Sequence, residues 1–494
     1  MRLLRVTELV CGLAYSVTAS SLAVDSLPHR FTDALVIGGV AKGGRTPIRF
    51  DALESLIVLG TFKAPNPGDT LTAADGTVRT WEPITLVEGK NRIEHASLGN
   101  GYAYASMESD SDCVAILDAS GHSLVYVNGV PRTGDPYGYG FTRLPVALQK
   151  GVNEFLFVCG RGGFSAELLA CPSDQPRFLA ADDTLPHLVV GDASPVELAI
   201  VVENPSLTTV TGLAIELRHC DGTVTRTALP ALLPCSAHKA RATLNGAAVA
   251  AAGPVPIDAT LVTGEGDARR SIAARSLLLK AIDADKNRNV TFVSDIDGSV
   301  QYYAVVPALA AADERPGLIL SLHGASVKAQ GQANCYKPKE SAIVVCPTNR
   351  RPYGFDWEDW GRLDALEVLA LAQRRFNTDP RRQWLTGHSM GGHGTWQLGA
   401  HFPDRFAAIA PSAGWISFRS YGAGAELGES EVERIFRRAM SPSDTLALGR
   451  NYAGLGVYVL HGEIDDNVPV GQARAPSRRT RRATLLSSHR PRVP

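Results

Sequence analysis

The chain has 494 residues, too many for a single hydrophobic core, so we expect two to four domains. The composition is 45% hydrophobic and 20% charged, and the formal net charge of -1 gives no reason to expect nucleic acid or an anionic membrane as a partner. The 47 glycines and 30 prolines predict many turns, as β-rich domains need.

The N-terminus resembles a secretory signal peptide. Two arginines precede a short apolar run at about residues 9–17, and small residues follow up to Ala23. We therefore expect residues 1–23 to be removed, with cleavage near Ala19 or Ala23, and the protein to be exported to the periplasm or the outside. Glu8 leaves an ordinary buried strand or helix as the alternative. No other run is long and apolar enough to span a bilayer.

The eight cysteines include no CxxC pair, so neither a zinc site nor a thioredoxin-like site has support. We expect free buried thiols. A Cys220–Cys235 disulfide would require those two segments to be neighbouring strands.

Two β-rich regions follow. From residue 45 to residue 172, short β-like runs alternate with turn clusters, which predicts a sandwich or jelly roll. Its stretch SLVYVNGVPRTGDPYGYG resembles the strand-and-loop text of galactose-binding-like sandwiches attached to carbohydrate-active enzymes. There Tyr137, Tyr139 and Phe141 either stack on a sugar or pack within a Gly-rich loop. Residues 183–282 alternate apolar and polar, which predicts an immunoglobulin-like sandwich that serves as a spacer or docking wall.

The pattern changes at Asn289. A hairpin is expected to turn at Asp297-Gly298, and short apolar runs such as LILSLHG and AIVVCPT then alternate with helical stretches. This alternation predicts a parallel sheet covered on both faces. The predicted fold is therefore multidomain, with two β-sandwich domains ahead of an α/β domain over residues 289–470.

The sequence GHSMG, residues 387–391, fits the nucleophile motif G-x-S-x-G between a predicted strand and a predicted helix. In this context Ser389 is the expected nucleophile; the alternative is a glycine-rich turn whose serine only caps the helix. The N–H of Met390 is the expected first oxyanion donor. The second donor is the N–H of Ala325, or else of Ser326, in the loop after LILSLHG.

Two further side chains belong to this chemistry. His323, at a strand end, is expected to brace its loop by hydrogen bonding and not to act in catalysis. The acid of such a triad follows the serine in chain order, and HGEIDDNVPV places Asp465 after a strand, with Asp466 as the neighbouring alternative.

The motifs LHGA, GHSMGGHGTW, FAAIAPSAGW and HGEIDDNVPV together resemble the catalytic domain of the prolyl oligopeptidase family and its related bacterial esterases. The resemblance covers roughly residues 289–470. It implies an α/β-hydrolase fold and the hydrolysis of peptides or esters through Ser, Asp and His. The two β regions show no clear repeat of propeller-blade length, which departs from true prolyl oligopeptidases.

The family's histidine follows the acid by a few tens of residues, and here only His489 is available. Residues 471–494 carry many arginines, no acid and no apolar periodicity, so we expect a basic, disordered tail. The hypothesis is that the α/β domain is truncated and has lost its last helix, strand and histidine loop. His393 and His401, on the helix after the serine, are the other candidates for a base.

A loop after AIVVCPT is rich in aromatic and basic residues. We expect Tyr353, Trp357 and Trp360 there, and Trp415 in SAGW, either to line a substrate cleft or to pack the α/β domain on the β domains. Arg350 and Arg351 are candidates to hold an anionic group.

These features predict an exported serine hydrolase that forms an acyl-enzyme on Ser389 and needs no metal or cofactor. Its substrate would be a peptide or an acylated carbohydrate. The alternative is a non-catalytic, carbohydrate-binding pseudo-enzyme that lacks a working histidine.

Overall fold

A computed structural model of the chain describes residues 27–42, 50–141, 143–245, 248–309, 315–350, 356–418, 420–421, 428–477 and 483–488. The predicted signal peptide, residues 1–23, lies outside the described residues. The described chain forms a β-rich N-terminal part and an α/β C-terminal part, in the predicted order. None of its helices is both long and apolar enough to cross a membrane.

The first region packs two antiparallel sheets on one core. Its strands, numbered β1 to β15, are His29–Arg30, Asp33–Gly38, Ala41–Lys42, Phe50–Asp51, Thr70–Thr72, Val78–Thr80, Glu82–Thr85, Ile93–Glu94, Gly101–Ser109, Cys113–Ser120, His122–Val127, Val130–Thr133, Arg143–Leu148, Gly151–Cys159 and Gly163–Ala170. It also contains helix α1, Ala52–Val58, and a 3-10 turn, Ala96–Gly99. The six-stranded sheet runs β12-β11-β14-β9-β2-β7, and the other runs β1-β15-β10-β13 with β8 on β15.

The first region begins earlier than the predicted residue 45. Strand β2 pairs with the central strand β9, for example Val36 with Ala103, and Val36 is fully buried in the shared core. The sequence did not predict this strand, because DALVIGG lies close to the predicted signal segment and resembles the sequence that flanks such a segment.

The second region consists of strands β16 to β23, which form a three-stranded sheet, β16-β18-β21, and a five-stranded sheet, β17-β23-β22-β19-β20. The strands are Arg177–Thr184, His187–Val189, Val196–Asn204, Leu213–Arg218, Val224–Ala228, Ser236–Leu244, Gly253–Thr263 and Arg270–Ile282, with a 3-10 turn at Gly266–Ala268. Side chains from both sheets form one core, which explains the apolar and polar alternation. The finer sandwich types of both regions stay predictions.

The third region is an eight-stranded sheet of order β24-β25-β27-β26-β28-β29-β30-β31. Its strands are Arg288–Val293, Val300–Val306, Gly317–Leu322, Ala342–Cys346, Gln383–His388, Ala408–Ser412, Gly456–Gly462 and Ala483–Ser488. The first two form the predicted hairpin, with Gly298 at a φ of +71° in its turn. From β27 to β31 all neighbours are parallel, as predicted.

Helices connect these parallel strands. They are α2, Ala329–Asn334; α3, Asp359–Phe376; α4, Met390–His401; α5, Glu431–Ala439; and α6, Gly471–Ser477, with 3-10 turns at Pro403–Arg405, Ser441–Ser443 and Gly449–Gly454. The seven described cysteines are free thiols, as expected, but only Cys159, Cys235 and Cys346 are buried.

The segment after residue 470 differs from the predicted tail. Helix α6 begins at Gly471, and β31 pairs with β30 in parallel, Val457 with Ala483 through to Gly462 with Ser488. The prediction of a tail without helix or strand was therefore wrong for residues 471–477 and 483–488. The many arginines obscured the run ATLLSS, whose six residues are enough for one strand at a sheet edge.

The three regions touch one another. In the first region, the Tyr139 hydroxyl donates to the Ser326 carbonyl at 2.9 Å, and Phe50 lies 4.1 Å from Phe436 of α5 between ring centroids. In the second region, the Glu197 carbonyl accepts the Thr291 hydroxyl. The α/β region therefore rests against both β regions.

The turn after β27 is held by a buried carboxyl group on α3. Asp364 is fully buried, and its Oδ2 accepts the N–H of Asn349 at 2.8 Å. Both Asn349 and Arg350 adopt a φ of about +60°, so the turn needs such an anchor. Burial raises the pKa of Asp364 from its ordinary 3.8 to about 7.

We predict that Asp364→Asn stabilises the protein increasingly between about pH 4 and pH 7. The folded state holds the Asp364 proton more tightly than the unfolded chain, so the free energy of unfolding of the native protein falls as pH rises through this window. Asparagine keeps an acceptor and does not titrate. Melting temperatures measured at pH 4 to 8 should separate, with the variant higher by several degrees at pH 8.

Asp379→Asn is the matched control. The hydrogen bond from Arg381 lowers the pKa of Asp379 to about 2, so its titration lies below this window and its effect should be constant from pH 5 to pH 8. A constant difference for Asp364→Asn as well would contradict the assignment of a raised pKa.

Candidate active site

Ser389 lies in a strained turn between β28 and α4. Its φ of +56° and ψ of −116° are rare for a residue other than glycine. The Ser389 N–H donates to the Ser412 carbonyl at 2.9 Å, and the Ser389 carbonyl accepts the N–H of His393 at 3.0 Å. Hydrogen bonds on both sides hold the half-buried serine at the carboxyl end of its strand. This is the backbone form of a nucleophile elbow.

The loop after β26 lies directly against Ser389. A Cβ atom built on Gly324 would be 3.6 Å from the Cβ of Ser389. Ala325 follows in a half-buried position, and Ser326 adopts a φ of +65°. The predicted oxyanion donor Met390 begins α4 and is buried at 1% exposure. The backbone N–H groups of Ala325 and Met390 thus belong to the two segments that border the serine.

His323 braces this loop, as predicted. It is fully buried, with Nδ1 2.8 Å from the Gly324 carbonyl and Nε2 3.1 Å from the Thr348 carbonyl. Its own carbonyl accepts the indole N–H of Trp357 at 3.1 Å. Burial lowers the pKa of His323, which favours the neutral ring, and a neutral ring donates a hydrogen bond to only one of these two carbonyls.

Asp465 follows β30, at the same edge of the sheet as Ser389. Its Oδ1 accepts the N–H groups of Asn467 at 3.1 Å and Val468 at 2.9 Å, and its Oδ2 lies 3.7 Å from Nε2 of the buried His461. Strands β28 and β30 are two positions apart, about 10 Å at the usual strand spacing. The neighbouring alternative, Asp466, is exposed.

Two of the three candidate histidines can be located. His393 is fully buried, with Nε2 3.1 Å from Glu358 and Nδ1 3.1 Å from the Trp415 carbonyl. His401, at the last turn of α4, has its Nδ1 2.9 Å from the Gln397 carbonyl. Neither ring is available as the base for Ser389, because His393 has both nitrogens occupied and His401 lies three turns along the helix. His489 lies outside the described residues.

The exposed fractions of the tryptophans contradict part of the predicted aromatic lining of a substrate cleft. Trp357 is fully buried and Trp415 is 3% exposed, stacked on His393 at 4.7 Å between ring centroids, so both are core residues. Trp360 is 57% exposed. Tyr353 and Arg351 lie outside the described residues.

Arg350 does not serve as an anion holder here. Its guanidinium forms an ion pair with Asp297 at 2.5 Å and lies 3.7 Å from Glu367. These carboxylates neutralise it within the fold. Sequence spacing could not reveal this pairing, since Asp297 belongs to the distant β24–β25 hairpin.

Sequence reasoning also missed a buried polar cluster behind the elbow. Glu358 accepts the Ser443 hydroxyl through one oxygen and contacts His393 through the other, which ties α4 to two other segments. A glutamate at the start of a helix gave no signal of this role, because its partners are 35 and 85 residues away.

We predict that Gly391→Ala prevents the elbow from forming. A methyl group at Gly391 would collide with the Leu322 carbonyl at the end of β26, and both atoms are backbone or attached to it, so neither can turn away. Such overpacking costs about 1–3 kcal/mol or more. Thermal melting should show a large loss of stability, or no folded protein at all.

Gly449→Ala is the control for this change. An added Cβ at Gly449 meets no heavy atom within 4 Å, so its melting temperature should stay close to that of the native protein. Equal melting temperatures for both variants would refute the proposed close approach of α4 to β26.

Comparison with known proteins finds similar proteins for the C-terminal part of the chain. Residues 326–489 match the model of the Esterase family, described as "Putative esterase". The chain is 31% identical over 177 residues to an uncharacterized secreted protein of Arthroderma benhamiae, covering 32% of this chain and 18% of that protein. It is 28% identical over 163 residues to feruloyl esterase B of Talaromyces funiculosus, covering 30% of this chain and 46% of that enzyme.

Among solved structures, an S-formylglutathione hydrolase from Agrobacterium tumefaciens is 19% identical, with a TM-score of 0.31 over 41% of this chain and 85% of that one. The chain spans less than half the length of both curated relatives. The matched family is described as an esterase, and no finding above identifies the prolyl oligopeptidase family specifically. Residues 326–489, which include the Ser389 turn and strands β27 to β31, thus match the Esterase family.

Proposed function

We propose that this chain is a serine carboxylesterase that removes an acyl group from a carbohydrate. The observation that carries the proposal is the strained Ser389 turn, which lies against the Gly324 loop inside a segment that matches the Esterase family. One relative of this segment is named a feruloyl esterase, which favours an ester over a peptide as substrate. Another is named a secreted protein, which supports export.

In the proposed reaction, Ser389 attacks the ester carbonyl, and the N–H groups of Met390 and Ala325 stabilise the oxyanion. A histidine takes the serine proton and delivers it to the leaving alcohol, and water then releases the acyl group from the enzyme. Asp465 would orient that histidine through Oδ2, because Oδ1 already accepts two backbone N–H groups.

His489 is our proposed base. It follows Ser488 directly in the chain, and the Cα of Ser488 pairs with Gly462, three residues before Asp465. The carboxyl ends of parallel strands lie at the same edge of a sheet, so β31 ends at the edge where Asp465 follows β30. The family match also extends to residue 489.

We predict that Ser389→Ala abolishes both labelling by a fluorophosphonate probe and hydrolysis of p-nitrophenyl acetate and methyl ferulate. His489→Ala should lower kcat by a factor of about 10³ to 10⁶, since losing the base leaves only binding and oxyanion stabilisation. His401→Ala, a histidine on the same domain at the far end of α4, should retain nearly native rates.

The same assay separates the rival functions. Cleavage of a proline-containing peptide anilide in preference to the esters would identify a peptidase. A folded native protein that neither labels nor hydrolyses would be a non-catalytic protein, and the esterase proposal would fail. Unchanged kcat in His489→Ala would overturn the assignment of the base alone.

A further inference from the structure

The turn beside the nucleophile contains a residue in a strained conformation. This oxyanion turn, residues 324–327, carries the candidate oxyanion donors, the N–H groups of Ala325 and Ser326. The Val327 N–H donates to the Gly324 carbonyl at 3.3 Å, and Ser326 adopts a φ of +65°. This combination is typical of a type II turn, which favours glycine or asparagine at its third position. The Cβ of a serine is crowded there, so the turn needs contacts that hold it in this form.

Contacts within the α/β region hold the entry of the oxyanion turn. The indole N–H of Trp357 donates to the His323 carbonyl at 3.1 Å, and Nδ1 of His323 lies 2.8 Å from the Gly324 carbonyl. Both contacts come before Ser326 in the chain. They therefore do not hold the backbone that follows the strained residue.

The first β region contacts the exit of the oxyanion turn. The Tyr139 hydroxyl donates to the Ser326 carbonyl at 2.9 Å. The Lys328 ammonium lies 5.5 Å from the ring centroid of Tyr139 and 5.7 Å from that of Phe141, and these two rings stack at 5.4 Å. Distances below about 6 Å are within the range of a cation–π attraction. A hydrogen bond and a charged contact from one β loop thus meet the chain directly after the strained residue.

The loop that carries Tyr139 is anchored within its own region. Asp135 is fully buried, and its Oδ2 accepts the N–H groups of Gly140 at 2.7 Å and Phe141 at 3.3 Å. The Asp135 carbonyl accepts the N–H of Gly121, which follows strand β10, at 2.8 Å. A backbone that is fixed in the first β region therefore presents Tyr139 to the oxyanion turn.

The position of this turn matters for the chemistry proposed at Ser389. The oxyanion forms only when the serine attacks, so its donors must already be in place. A group displaced by 1 Å can lower a rate by about 10². Because the negative charge is absent from the bound substrate, such a displacement lowers kcat and leaves KM nearly unchanged.

We propose that Tyr139 is a positioning residue, which holds the oxyanion turn for the attack by Ser389 without touching the reacting atoms. This assignment rests on the proposed esterase function. It places part of the catalytic unit in the first β region, outside residues 326–489 that match the Esterase family. The α/β region would then need the first β region for its full rate, and not only for its stability.

The test is kinetic, with Tyr139→Phe in the full chain. Phenylalanine keeps the ring beside Phe141 and Lys328 and removes only the hydroxyl group. We expect kcat for methyl ferulate and p-nitrophenyl acetate to fall about 10- to 100-fold, with KM changed less than about twofold. An aryl trifluoromethyl ketone forms a tetrahedral adduct on the serine, with its oxygen in the oxyanion site. Its Ki should rise by the factor by which kcat/KM falls.

Thr291→Val is the matched control. The Thr291 hydroxyl also donates to a backbone carbonyl of a β region, that of Glu197, but it lies on β24, three strand positions away from β26. Each variant loses one hydrogen bond between regions, so both should melt within about 4 °C of the native protein. Thr291→Val should keep the native kcat and Ki, which separates the positioning of the turn from a loss of stability.

A native kcat and Ki in Tyr139→Phe, or an equal loss of kcat in Thr291→Val, would overturn the inference. The failures of the two proposals can be told apart. A native protein that hydrolyses no ester would sink the esterase function and this inference with it. Ester hydrolysis that Tyr139→Phe leaves unchanged would sink the inference alone.

Discussion

The close approach of helix α4 to the sheet is the constraint on which the site depends. Gly391 lies against the Leu322 carbonyl, so the backbone of α4 meets the backbone of β26 with no side chain between, and Gly324 lies beside the His388 carbonyl and the Ser389 Cβ. This contact forces Ser389 into its positive φ, because the chain must turn from β28 into α4 within one residue. The strain is offset by the hydrogen bonds to Ser412 and from His393, and it directs the start of α4 toward the space above the serine.

The local parts of this arrangement could be predicted from the sequence. The G-x-S-x-G spacing, the strand before it and the helix after it are all encoded within about twenty residues, and so is the β24–β25 hairpin turn at Gly298. The change from a β-rich to an α/β sequence pattern at Asn289 could be predicted equally well. Buried parallel strands are almost wholly apolar, whereas half-buried antiparallel strands alternate apolar and polar residues. The bracing role of His323 followed from its position at a strand end.

Features set by distant partners could not be predicted in the same way. Trp357 and Trp415 read as cleft residues because they are aromatic and lie after strands, but packing against His323 and His393 makes them core. The sequence suggested that Arg350 holds an anion, but in the structure Asp297 of the β24–β25 hairpin neutralises it. The strand β31 was missed for a different reason. It has only six residues, and the arginines on either side of it mask any apolar periodicity of the segment.

Contacts from the first β region help to hold the loop beside Ser389 in place. Tyr139 holds the Ser326 carbonyl from outside, while His323 holds the Gly324 carbonyl from inside, so the loop beside Ser389 is fixed from both directions. A hydrogen bond of this kind contributes only about 1 kcal/mol, yet an oxyanion donor displaced by 1 Å can lower a rate by about 10². The first β region therefore helps to fix the position of this loop through Tyr139, which also stacks on Phe141 and lies 5.5 Å from the Lys328 ammonium.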